Sequence, residues 1–372
     1  MGVTSLRSTV ARLFGQIVAE VPGAPDTDFV LAPTTPDECA RVLDLASEHR
    51  LSVLPWGGGT HQGMGGRVDP AVLLVTTALV GMSDDTTDLT VTVGAGTTVA
   101  ALEQRLASHG QTAVLPETPG AATVGGVVAA GASGWRRLRY GPTRDRVIEV
   151  VLATGDGRLV RGGARLVKNV TGYDLPRLAT GSFGTLGVIT SVSLKLWPTP
   201  PMSVTVRVAD PAAAIATAYR PQAVLETSSG TAVYLAGTAA EVDAQGSALG
   251  GPVTPGLSWP DLPSGPFAVV IRVPPVSTSE AVKRLPAGCE FVAAHGVGEV
   301  ITALDPDDLD TPQALRSWAD GVGGAVVVLR APQGHGFDPW GTPPSSNALQ
   351  RRIRSAFDPV GVMVPGRMPG DR

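Results

Sequence analysis

Three glycine-rich stretches, each set at the end of a strand-like run, constrain this chain more than any other feature. The first, Trp56-Gly57-Gly58-Gly59-Thr60-His61-Gln62-Gly63-Met64-Gly65-Gly66, holds six glycines in eleven residues. The second, Pro119 to Gly134, reads PGAATVGGVVAAGASG. The third, Gly181-Ser182-Phe183-Gly184-Thr185-Leu186-Gly187, runs into an alternating strand, Val188 to Leu196. Glycine lets a backbone approach a ligand closely and turn through positive φ. Rows of N–H groups in such loops face anions, phosphate above all. Taken singly, each stretch also suits a plain connector or surface loop. Taken together they predict one extended groove, built mainly of backbone, for a large flat molecule bearing a pyrophosphate.

The surrounding pattern gives these loops mounts. Phe29 to Ala32 reads as a strand. Thr35 is placed as an N-cap, Pro36 at the first helical position and Glu38 to complete a capping box. The helix runs to about Arg50, and Leu51 to Pro55 is the strand that enters the first loop. No Gly-Lys-Ser/Thr follows, so the loop is not a Walker motif, and no periodic helix begins there, which excludes a Rossmann fingerprint. Further strands are expected at Val72 to Thr76, Leu89 to Val93, Thr112 to Leu115 and Val147 to Ala153. A helix is expected from Thr98 to His109, capped by Thr97 and stopped by Gly110. Gly155-Asp156-Gly157 turns the chain into a return strand, Arg158 to Arg161. Arg136, Arg137, Arg139 and Arg144 follow the second loop, either as phosphate partners or as a solvated basic loop. Just before the third loop, Lys168, Asn169, Tyr173 and Asp174 gather polar chemistry. A short amphipathic helix is expected at Val10 to Val18.

Pro198 to Pro201 marks a boundary. Beyond it, strand-like runs (Ser203 to Val208, Ala232 to Leu235, Phe267 to Val273, Ala325 to Leu329) alternate with helical runs (Ala212 to Ala218, Ser279 to Leu285, Gln313 to Asp320). That mixture predicts an α+β sheet with helices on one face. A polar loop, Pro332 to Ser346, carries His335 and Trp340, and a basic helix, Leu349 to Phe357, precedes the terminal segment. The 372 residues, 43% apolar, suffice for two or three units with a large core. A formal net charge of −4 without a basic run argues against a nucleic-acid face. The two cysteines, Cys39 and Cys289, read as buried free thiols of a reducing compartment. The five histidines (His49, His61, His109, His295, His335) are scattered, which disfavours zinc and leaves no metal site. There is no signal-peptide pattern and no apolar run of membrane-spanning length, so a cytoplasmic chain is expected, at a membrane surface only through partners.

The loop PWGGGTHQGMGG, the segment ATVGGVVAAGASG, the block VKNVTGYDLPRLATGSFGTLGVIT and the terminal FDPVGVMVPGRM stand in order. Together they resemble the FAD-linked oxidase family, with the fold of vanillyl-alcohol oxidase and para-cresol methylhydroxylase (PCMH), and within it the FAD-binding subunits of bacterial glycolate oxidase. The resemblance is strong over Leu51 to Pro198 and at the C-terminus, and weak over residues 202–330. It implies an α+β chain in three parts. Residues 1–200 are a PCMH-type FAD-binding domain of two lobes, 201–330 a smaller cap, and 331–372 a segment returning to the FAD domain. It implies FAD contacts from Trp56, Gly57, Gly58, Gly59, Thr60, His61, Gln62, Pro116, Thr123, Gly125, Gly126, Gly131, Arg144, Asp145, Lys168, Gly184, Thr185, Gly187 and Val188. Many relatives attach FAD through a histidine in the first loop. His61 lies one position late for that pattern, so non-covalent FAD is expected. Relatives carry Glu or Gln where this chain has Phe183, and Asn where it has Val364, which weakens the transfer of catalytic detail.

The implied reaction is oxidation of a small 2-hydroxy acid, glycolate to glyoxylate or D-lactate, by hydride transfer to flavin N5. Such chemistry needs a base and a cation for the carboxylate. His335, Arg330 and Tyr173 are the candidates, although His335 also reads as an ordinary loop histidine. The expected assembly is a multi-subunit glycolate oxidase with a D-type flavoprotein and an iron–sulfur F-type subunit, since no cluster-binding cysteines occur here. The alternative is an accessory FAD-bearing subunit serving assembly and electron transfer. A UDP-sugar reductase of the same fold is disfavoured by the terminal block.

Overall fold

A computed structural model describes residues 21–83, 86–117, 120–165 and 172–369. The Val10 to Val18 helix and Lys168 lie outside the described residues. Among those described, no helix is long and apolar enough to cross a membrane.

The first sheet follows from the first β-α-β pattern. Strands β1 (Phe29–Leu31), β2 (Val53–Trp56) and β3 (Val72–Val75) pair in parallel in the order β1-β3-β2. Helix α1 (Pro36–His49) connects the first two. Thr35 caps it by accepting from the Glu38 N–H at 3.2 Å, but the Glu38 carboxylate takes the Thr34 N–H at 2.7 Å and so closes one residue earlier than a capping box. Cys39, Val42, Leu43 and Ala46 on the inner face join Phe29, Val53 and Leu74 in one core. Burial pushes the Cys39 thiol up to about 12, so it packs as an apolar group. Cys289 is only half-buried.

The second sheet is antiparallel. Its elements are β4 (Thr90–Gly94), α2 (Val99–Ala107), the short β5 (Gln111–Thr112), α3 (Val124–Ala130), α4 (Arg137–Tyr140), β6 (Val147–Ala153), β7 (Leu159–Gly163), α5 (Leu175–Ala179) and β8 (Val188–Lys195). The order is β4-β8-β6-β7, and β5 pairs separately with β9 (Trp197–Pro198). Two expectations shift here. Thr98 rather than Thr97 caps α2, since its Oγ accepts from Ala101 N at 3.2 Å while the Thr97 N–H is already given to Gly94 O. The strand expected at Thr112 to Leu115 pairs only at its start, because Val114 turns through φ 55°. The small residues of the second glycine stretch form a helix, α3. Gly125 lets it lie against Ala95, where an added Cβ would sit 2.6 Å from the alanine methyl.

The third sheet is antiparallel with eight strands. It comprises β10 (Met202–Val208), β11 (Ala223–Thr227), β12 (Gly230–Gly237), β13 (Val253–Pro255), β14 (Phe267–Arg272), β15 (Phe291–Ala294), β16 (Glu299–Leu304) and β17 (Ala325–Arg330). The order is β13-β10-β12-β11-β15-β16-β14-β17. Helices α6 (Pro211–Thr217), α7 (Ala239–Leu249), α8 (Thr278–Lys283) and α9 (Asp310–Gly321) pack on one face through Ala214, Val242, Ala281 and Leu315. The other face, with Leu225, Tyr234 and Val292, meets Trp135 and Trp259. Helix α10 (Asn347–Phe357) ends at Asp358. The Asp358 carboxylate accepts the N–H groups of Gly361, Val362 and Met363 at 2.7–3.0 Å. That turn lays the chain beside β2, where Val53 N donates to Val362 O and Val364 N to Val53 O. The C-terminal segment thereby extends the first sheet.

Candidate functional site

All three glycine stretches open onto one cleft. Its lining includes Gly57, Gly58, Gly59, Thr60, His61 and Gln62 from the first. Thr123, Gly125 and Gly126 come from the second, and Gly184, Gly187 and Val188 from the third and its strand. The atom-free space is about 670 Å³. The parallel sheet delivers the first loop, α3 forms one wall, and the start of β8 forms another.

The glycines are dictated by proximity. A Cβ on Gly57 would lie 2.3 Å from Thr123 Oγ, and one on Gly58 would lie 1.7 Å from Ala121 O. The first loop therefore runs directly against the segment that enters α3. Gly187, at φ 136°, leaves no room for a side chain against Ala153 O. Among the described residues, the N–H groups of Gly57, Gly58, Gly59, Thr60 and His61 donate to no protein acceptor. Five successive unpaired N–H groups on a glycine loop make a strong anion-facing surface. The Gly126 N–H is different, since Thr123 Oγ already accepts it at 3.2 Å. The residues fit a diphosphate-bearing cofactor held by main chain.

His61 is half-buried, with Nδ1 3.0 Å from Thr60 Oγ. Burial holds its imidazole below the ordinary pKa, which favours the neutral ring. Gln62 bridges the loop to the C-terminal segment. Its Nε2 donates to Pro55 O at 3.0 Å, and its Oε1 accepts from Arg367 at 2.8 Å.

Other expected residues stand elsewhere. Trp56 is buried beneath the loop, and a Cβ on Gly59 would lie 2.9 Å from its ring. Pro116 packs under Gly134, and Gly131 is the left-handed cap of α3. Thr185 is buried and donates to Ser182 O at 2.7 Å. Arg144 and Asp145 are 3.9 Å apart at the surface, where Asp145 also meets Arg177 at 3.3 Å. None of these six lines the cleft.

None of the three residues expected to do chemistry lines the cleft. The side chain of Tyr173 is in solvent, the residue being 94% exposed. Arg330 donates to Gly265 O at 2.6 Å and to Pro263 O. His335 stacks 4.2 Å from Phe267, with Nε2 3.0 Å from Pro306 O and Nδ1 accepting from Phe337 N at 3.3 Å. Both ring nitrogens are thus engaged with main chain.

Two residues that the sequence did not mark as contacts matter here. Phe183 lines the cleft and meets the Trp340 ring edge-on at 5.1 Å. Arg367 is 5% exposed and donates to Gln62 O, Met64 O and Gln62 Oε1 at 2.6–3.0 Å. Burial lowers its pKa to about 10, and three acceptors hold the charge in place. Its place inside the terminal FDPVGVMVPGRM block was the available signal.

Residues 27–163 match a family model described as "FAD binding domain". Over 182 residues the chain is 41% identical to glycolate oxidase subunit GlcD of Bacillus subtilis, covering 46% of this chain and 37% of that protein. It is 43% identical over 127 residues to glycolate oxidase subunit GlcE of Escherichia coli, covering 33% and 36%. A D-lactate dehydrogenase of Archaeoglobus fulgidus matches at 35% identity, covering 48% and 40%. The chain therefore spans well under half the length of these curated relatives. Among solved structures, alkyldihydroxyacetonephosphate synthase superposes with a TM-score of 0.63 at 15% identity, covering 93% of this chain and 78% of the other. A variant of Phl p 4, a glucose oxidase, gives 0.59 at 14% identity, covering 84% and 80%. These structural likenesses show a shared fold, and the sequence relatives are named as oxidase subunits and a dehydrogenase. Residues 27–163 are an FAD-binding domain, set in a fold that the chain shares with these solved structures.

Proposed function

We propose that this chain is an FAD-dependent oxidoreductase subunit acting on a small 2-hydroxy acid, glycolate or D-lactate, within a multi-subunit glycolate oxidase. The observation that carries this reading is the row of unpaired N–H groups from Gly57 to His61, facing Gly126 and Gly184 across one cleft. Bound FAD supplies the acceptor for the two electrons removed from the hydroxy acid. The chain's own residues bind and orient. The Gly57–Thr60 backbone is suited to the pyrophosphate, and the cleft-facing backbone at Gly184 and Gly187 to the polar edge of the ring. His61 lies one position late for the histidine through which relatives of this fold attach the cofactor, so the FAD is held non-covalently.

A second reading has its own support. Arg330 and His335 are committed to backbone groups and Tyr173 stands in solvent. On this reading the chain is an FAD-bearing accessory subunit, serving assembly and electron transfer beside a catalytic D-type flavoprotein and an iron–sulfur F-type subunit. The kinship with both GlcD and GlcE suits either role.

Anaerobic addition of glycolate or D-lactate to the FAD-loaded chain separates the two. Bleaching of the 450 nm region, on the order of complete within minutes, supports the catalytic reading. Bleaching only after the D-type partner is added supports the accessory one. A chain that stays colourless with excess FAD would overturn both. Acid precipitation should release the flavin into the supernatant, and flavin retained in the pellet would contradict non-covalent binding.

A further inference from the structure

Helix α3 ends at its left-handed cap, Gly131, and residues 131–146 then leave the FAD cleft for the eight-stranded sheet. Two side chains of this segment take opposite faces of that sheet. Trp135 packs against the Leu225, Tyr234 and Val292 cluster on the helix-free face. Leu138, three residues on, packs against the Ala214, Val224 and Val233 cluster on the helix-covered face. The segment therefore straddles the end of the sheet at β11 and at the turn between β15 and β16.

That turn is shaped to receive it. Gly296 sits there at φ 78°, and a Cβ on it would lie 2.9 Å from Leu138 Cδ1 and 3.5 Å from Ile215 Cδ1. Just beyond the turn, Glu299 accepts from Arg137 at 3.4 Å and from Arg272 at 3.1 Å, its side chain only 13% exposed. An apolar key and a sheltered ion triad thus hold the same end of the sheet.

The segment is equally fixed on the cleft side. Arg146, 1% exposed, donates to Gly141 O at 2.6 Å and to Thr143 Oγ at 3.2 Å. The Thr143 hydroxyl donates to Ala132 O at 2.6 Å, and Ser133 Oγ accepts Thr143 N at 3.0 Å. Arg136 pairs with Glu117 at 2.8 Å and donates to Leu115 O at 3.1 Å. The root of the segment also touches the third glycine stretch, since a Cβ on Gly131 would lie 3.1 Å from Gly181 Cα. Gly181 N and Phe183 N donate to Val128 O and Ala129 O, at 3.0 and 2.8 Å. Two walls of the cleft are therefore fixed to α3, and α3 runs directly into the segment that grips the large sheet.

We propose that residues 131–146 couple FAD occupancy to the seating of the eight-stranded sheet, with Leu138 as the positioning residue that enters the β15–β16 turn. The physical ground is linkage. A cofactor that orders the N-terminal end of α3 lowers the cost of ordering its C-terminal end, and a sheet seated on that end favours the cofactor in return. The inference rests on FAD filling the cleft and is independent of the substrate.

Amide hydrogen exchange of the full chain, with and without FAD, tests it. FAD should slow exchange about tenfold at residues 57–61 and 123–126, which border the cleft, and also at 135–141 and 295–298, which do not. Leu138→Ala should keep the first protection, remove the second and weaken FAD about threefold. Leu138→Met conserves volume and should restore both. Arg137 is half-buried, so Arg137→Gln should fold normally and reduce the protection at 295–298 about twofold. Protection at the cleft without protection at 295–298 in the parent would overturn the coupling, as would full protection there in Leu138→Ala. Protection at neither place would refute FAD binding itself, and the coupling with it.

Discussion

Gly126 and Gly58 show how differently two glycines of one site behave. A Cβ on Gly58 would sit 1.7 Å from a carbonyl oxygen, so any substitution must move backbone and break the fold. A Cβ on Gly126 meets only Thr123 Oγ, at 3.1 Å, and otherwise points into the cleft. Alanine in a helix interior is also favoured over glycine by about 0.5–1 kcal/mol. Gly126→Ala should therefore keep or slightly raise the unfolding midpoint, while weakening FAD about tenfold, or about 1.4 kcal/mol. Fluorescence titration of the apoprotein with FAD measures the second effect and urea unfolding the first. An FAD affinity equal to the parent's would show that this wall does not touch the cofactor.

At the scale of elements, legibility followed local chemistry. Helix α1 was readable because Thr35, Pro36 and a 3.6-residue apolar period all agree, and the structure moves only the partner of Glu38. Helix α3 was not, because Val124, Gly125 and Gly126 each disfavour a helix on their own. Packing against Ala95 and β8 decides the matter, and no local pattern reports it. Strands β11, β15 and β16 were likewise hidden, since their pairing is set by neighbours far along the chain. The glycine loops announced the cleft, but not which of their residues face it. Thr185 and Gly131 carry the right chemistry on the wrong side. The terminal block was legible as a motif and opaque as a mechanism, and Asp358 supplies that mechanism by gathering three N–H groups at the end of α10. Hydrogen bonds to a charged group contribute about 1.5–3 kcal/mol, and a lost acceptor leaves buried donors unpaired. Asp358→Ala should cost about 3 kcal/mol, seen as a lower urea midpoint with an unchanged slope. Asp358→Asn retains one acceptor and should fall between. A midpoint within experimental error of the parent would mean that β2 holds the segment without this turn.

On the scale of the whole molecule, Trp340 joins the parts that the sheets leave separate. It follows β17 in the chain, and the preceding Pro339 O accepts Val328 N at 2.9 Å, which fixes the loop to the large sheet. Its indole N–H donates to Arg367 O at 2.8 Å, and Arg367 in turn holds the first glycine loop. Its ring edge meets Phe183 on the cleft wall. One side chain thus links the eight-stranded sheet, the C-terminal segment and two of the three glycine loops. Phe183 occupies this contact at φ 53°, a left-handed conformation that costs an aromatic residue energy and persists only if packing supports it. Losing the Trp340 ring should therefore loosen the cleft from outside, without removing any group that lines it. Trp340→Ala is expected to speed FAD dissociation about tenfold, corresponding to roughly 1.4 kcal/mol of lost bracing. Trp340→Phe keeps an edge for Phe183 but loses the N–H bond to Arg367, so its rate should lie between the two. Stopped-flow recovery of flavin fluorescence on dilution reads both rates. Equal rates for the parent and Trp340→Ala would show that the first loop and Phe183 hold their positions without the large sheet.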